Sequence, residues 1–121
     1  MRRTAALRPQ ERLAALLAGR DAPLACEELV LRARMDLDHD RPREAALGLR
    51  VALEAALAEL DPDRPVGMRE RLDDLRERRE AVGSAANAAL KGPLPDDLRE
   101  AVDEGIERIA AALRARSAAG I

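Results

Sequence analysis

Pro42–Leu60, PREAALGLRVALEAALAEL, decides the fold of this chain. It consists almost wholly of strong helix formers, with proline placed where a first helical turn accepts it. At 3.6 residues per turn, Ala45, Leu49, Ala52, Leu53, Ala56 and Leu60 share one broad face, while Leu47 and Val51 point roughly the opposite way. A helix that is apolar on two sides is normally covered on two sides. The stretch therefore predicts a central helix of a bundle, or one at a contact between subunits.

Working toward the N-terminus, Asp38-His39-Asp40-Arg41 reads as a turn, preceded by a helix over 21–38 with Asp21 as N-cap and Pro23 in its first turn. Ala22, Cys26, Leu29, Val30, Ala33 and Leu37 form its main stripe, and Leu24, Leu31 and Met35 form a narrower one on the other side. A short helix over 9–19 comes first. It has Pro9 in its first turn, Leu13, Leu16 and Leu17 as its apolar stripe and Gly19 at its end. Residues 1–8 are expected to be loosely ordered.

Toward the C-terminus, Asp61-Pro62-Asp63-Arg64-Pro65 repeats the Asp-x-Asp-Arg-Pro pattern of residues 38–42. Carboxylates before a helix and proline at its start are what any helix entry selects, so the repetition needs no duplicated unit. A helix is predicted over 67–91, with Met68, Leu72, Leu75, Val82, Ala86 and Ala89 as a narrow seam interrupted by Arg79. Its first half, RERLDDLRERRE, is solvated and laced with opposite charges at i, i+4 spacing. A last helix over 95–117 carries Leu98, Val102, Ile106, Ile109 and Leu113, with Gly105 beside them. The expected architecture is all-α and single-domain over 1–121: four long helices in two antiparallel hairpins, plus the short leading helix. No stretch alternates with period two, so no sheet is expected.

Composition narrows the functions. Hydrophobic residues make up 47% of the 121 positions and charged residues 36%, with a net charge of −2, so nothing draws the whole chain to nucleic acid or anionic lipid. Phe, Tyr and Trp are absent, which leaves no platform for stacking bases and no cage for quaternary cations. Cys26 is the single cysteine and lies on an apolar face, which predicts a buried small hydrophobe. No apolar run approaches the ~18 residues of a membrane span, and Met1-Arg2-Arg3-Thr4 leads into no signal-like apolar region. The expected location is cytoplasmic, with no membrane partner.

Few residues carry chemistry. Asp36, Asp38 and Asp40 resemble the opening of an EF-hand loop, but Arg41 stands where that loop needs glycine and Leu47 where it needs a bidentate glutamate. Arg34 and His39 have the Arg-x4-His spacing that resembles the ribonuclease motif of HEPN-type domains. The segment from Leu24 to Leu60 loosely resembles the helical hairpins of HEPN and tetratricopeptide domains. In HEPN nucleases that motif lies near the last helices, whereas here it joins the second and third, and Met35 replaces the usual polar residue. Arg69, Arg71, Arg76, Arg78 and Arg79 are offset by Glu70, Asp73, Asp74, Glu77 and Glu80, which breaks up any phosphate-binding surface. Ser84 and Asn87 lie one turn apart without a nearby base.

The leading expectation is a non-enzymatic helical interaction protein without a cofactor or metal, self-associating as a homo-oligomer (a dimer first of all) or binding another helical protein. Its interface would comprise Leu24, Leu31, Met35, Leu47 and Val51, with Arg79 fixing the register, and Leu31→Asp would dissolve the oligomer. The alternatives are a module with an apolar ligand pocket between helices, and an RNA-associated or metal-dependent protein using the Asp36–Asp40 turn.

Overall fold

The computed structural model describes residues 23–121. The predicted helix over 9–19, the loosely ordered 1–8 and the Asp21 cap lie outside the described residues. Five helices follow in order: α1 (Ala25–Asp38), α2 (Pro42–Glu59), α3 (Met68–Glu77), α4 (Arg79–Lys91) and α5 (Asp96–Ala118). There is no strand among the described residues, and the all-α class read from the sequence holds.

Polar contacts across the helix pairs fix the directions. Arg34 on α1 meets Asp103 and Glu107 on α5, and Asp40 just beyond α1 meets Arg99 near the start of α5, so α1 and α5 run antiparallel. Arg43 and Glu54 on α2 meet Ala89 and Arg79 on α4, again in opposite senses. With two short turns closing α1/α2 and α4/α5, the layout is an up-down-up-down bundle whose third rod is α3 and α4 in succession. The central helix is central: α2 touches each of the other four.

Its predicted inner face is buried in full, with Ala45, Leu49, Ala52 and Ala56 at zero exposure. Around Leu49 the core is made from Met68, Leu72, Leu75, Val82, Val102, Ile106 and Ile109, with alanines from α2 and α4 between them. Small residues let the backbones approach closely, which compensates for the missing aromatic volume. The closest approach is at Gly105 on α5, where an added Cβ would sit 2.8 Å from Leu49 Cδ2.

Two expectations are corrected. The predicted rod over 67–91 is two helices with Arg78 between them at φ −86°, ψ −4°. Arg78 N–H is shared between Asp74 O at 3.2 Å and Leu75 O at 3.1 Å, the tightened geometry of a helix end. No large apolar side chain falls between Leu75 and Val82 to hold this stretch to the core, Ala81 being exposed, and Arg78 instead spreads over Asp74 and Glu104 of α5. The second correction is the start of α1, which lies at Ala25, not in a turn containing Pro23. Leu24 is extended, and its N–H is taken by Glu27 Oε1 at 2.8 Å. The next two orphan donors, Ala25 N–H and Cys26 N–H, are taken by the Glu59 carboxylate at 2.9 and 2.8 Å.

Candidate interaction surface

Glu59 explains the geometry of the first hairpin. It is the last residue of α2, where its charge opposes the negative end of its own helix. Antiparallel pairing brings that end beside the positive end of α1, and one carboxylate caps a helix 33 residues away. Burial works against its ionisation, but the N–H groups of Cys26 and Ala25 outweigh it and hold the carboxyl below its ordinary range. Burial, helped by the neighbouring Glu59, pushes the Cys26 thiol up to about 12. Cys26 is thus buried as expected, and protonated.

The hairpin turn accounts for the acidic residues that suggested a metal loop. Asp40 has φ +60°, with Asp40 N–H on Leu37 O and Arg41 N–H on Asp36 O. This is a Schellman stop, with aspartate in the left-handed position usually given to glycine. The same closure recurs at Gly120, φ +75°, after α5. Among the described residues no three His, Cys, Asp or Glu side chains are grouped to hold a metal. His39 donates from Nδ1 to Met35 O at 2.7 Å, and the Arg34 guanidinium is drawn to Asp103 and Glu107 at 2.6 and 2.7 Å on α5. Five residues apart on one helix, the two side chains point about 140° from each other and are not brought together.

The second apolar stripes remain on the surface. Leu31 is 60% exposed, Met35 51% and Val51 55%, whereas Leu24 and Leu47 are half-buried against the core. Within these stripes only Leu31 borders a groove against α5. Leu31 turns toward α5 and lines a groove of about 510 Å³ with Val30, Ile106, Ala110 and Leu113. Met35 and Val51 are exposed and line no part of that groove, and Gly48 lies one turn before Val51 with nothing within 4 Å of a Cβ built there.

Arg79 lies at the surface, where it forms a bidentate pair with Glu54 of α2, both bonds 2.9 Å. The hydrogen bonds lower the Glu54 carboxyl and raise the Arg79 guanidinium. Ser84 has no side-chain partner among the described residues, and Asn87 accepts from Arg50 at 3.1 Å. Two exposed apolar residues were missed from the sequence: Leu90, at 63%, is the next-to-last residue of α4, and Val66 lies in the α2–α3 connection. Leu90 follows Ala89 of the buried α4 stripe and is turned about 100° from it. No helix of the described residues is long and apolar enough to cross a membrane. Comparison with protein-family models, with curated proteins and with solved structures found no match for this chain.

Proposed function

We propose that this chain is a non-enzymatic, self-associating helical protein of the cytoplasm, and that two copies meet through the outward side of the α1/α2 hairpin. The observation that carries this reading is the pair Met35 and Val51, each more than half exposed on adjoining helices and backed by half-buried Leu47. Covering a large aliphatic side chain is worth about 1.5–3 kcal/mol before the costs of association. Gly48 supports the same face. A glycine within a helix costs roughly 0.5–1 kcal/mol relative to alanine, and no neighbour within the described chain requires it. An approaching helix from a second copy would.

Arg79 acts beside this contact through Glu54. Their bidentate pair holds the outer edges of α2 and α4 together, and so keeps the presented surface in one shape. The test is light scattering on a sizing column with Met35→Asp and Val51→Asp. Both positions are exposed, so the fold should survive. The parent should elute as a dimer and each variant as a folded monomer. A parent that is monomeric at high micromolar concentration would refute the proposal.

A further inference from the structure

The groove between α1 and α5 does not include Met35. It is lined by Val30 and Leu31 on one wall and Ile106, Ala110 and Leu113 on the other, and Pro23 stands at one end. Among the described helices α1 touches only α2 and α5, so this is the flank of α1 on which another helix can pack. We propose that the groove is the seat of residues 9–19 of the same chain, lying antiparallel to α1.

Three observations converge on that occupant. The first is connection length: only residues 20–24 separate Gly19 from the start of α1 at Ala25, and a link this short returns consecutive helices as antiparallel neighbours. The second is extent. Eleven helical residues reach about 16 Å at 1.5 Å per residue, and the groove is lined from Pro23, just before α1, to Arg34 on it, a comparable stretch. The third is chemistry. Leu13, Leu16 and Leu17 provide an apolar stripe of the groove's own kind. Residues 1–22 carry Arg2, Arg3, Arg8, Arg12 and Arg20 against Glu11 and Asp21, while the remainder of the chain is net negative and the groove is lined by Glu27, Glu28 and Glu107 against Arg34 and Arg114. Seating the segment would cover Leu31 within one copy and leave Met35 and Val51 outward. The two surfaces therefore fail or stand separately.

The experiment is thiol labelling of the full chain carrying Leu31→Cys, with the fully exposed Val66→Cys as reference. Cys26 is buried and stays silent. Leu31→Cys should label at least about tenfold more slowly than Val66→Cys, because a seated helix must open before the thiol is reached. The slowing should be the same at every protein concentration. Adding Leu13→Asp and Leu16→Asp, or Leu17→Asp alone, should restore the reference rate without loss of helical circular dichroism. Equal rates in the parent would overturn the proposal. So would slowing that grows with protein concentration, which would place a second copy in the groove, or slowing that none of the leucine changes relieves.

Discussion

The α1/α2 hairpin and the rod formed by α3 and α4 belong to one bundle but solve the same problem differently. The hairpin turns apolar side chains both inward and outward, and its ends are tied by a carboxylate borrowed across the pair. The first half of the rod buries only Met68, Leu72 and Leu75 and fills the rest of its surface with ion pairs such as Arg76–Asp73, Arg78–Asp74 and Arg69–Asp63. The difference shows where this chain is self-sufficient. Outside its buried stripe α3 presents charges to water, whereas the hairpin leaves Leu31, Met35 and Val51 exposed.

Changes in the two regions should therefore differ in size. The largest loss is expected from Leu49→Ala, which empties the centre of the core where α2 meets α5. It should cost roughly 3–4 kcal/mol in urea unfolding, and a loss below about 1 kcal/mol would mean that α2 is not the centre of the fold. Next comes Glu59→Gln. Because the folded carboxyl lies below its ordinary value, its contribution is present above pH ~4.3 and is lost as pH falls through the lowered folded value. The variant should be less stable at pH 7 by about 1 kcal/mol and should show a shallower acid limb. An unchanged pH profile would remove the cross-hairpin cap from the account.

A matched pair of glycines separates packed from open positions. Gly105→Ala must push Leu49 Cδ2 aside in a filled core, and should cost about 1 kcal/mol even after the gain in helix propensity. Gly48→Ala meets nothing in the described chain. It should stabilise the isolated chain by roughly 0.5–1 kcal/mol while weakening self-association, so that unfolding and sizing experiments move in opposite senses. The smallest effect belongs to the rod. Asp73→Ala breaks an exposed pair with Arg76 and should change stability by less than about 0.5 kcal/mol.

Much of this was legible in the sequence. The double-sided pattern of residues 42–60 located the central helix, and i, i+3, i+4 spacing found nearly every buried position. The break at Arg78 was not, because no proline or glycine stands near it to stop a helix. Its one trace was the gap in large apolar residues from Leu75 to Val82, read as an interruption at Arg79. The Glu59 cap lay beyond local reading as well, since helix ends far apart in sequence meet only after the hairpin closes. A carboxylate at the unfavourable end of its own helix was the hint. For the candidate surface, periodicity found Leu31, Met35 and Val51 but not Leu90 or Val66, and it included Leu24 and Leu47, which are half-buried; only the placement of α5 shows that Leu31 borders a groove.

Sedimentation equilibrium of the full chain, from low to high micromolar concentration, tests the self-association claim most directly. The average mass should rise from one copy to two across that range, and Val51→Asp should hold it at one while the helical signal stays intact. A single-copy mass throughout, or a dimer untouched by Val51→Asp and Met35→Asp, would contradict it.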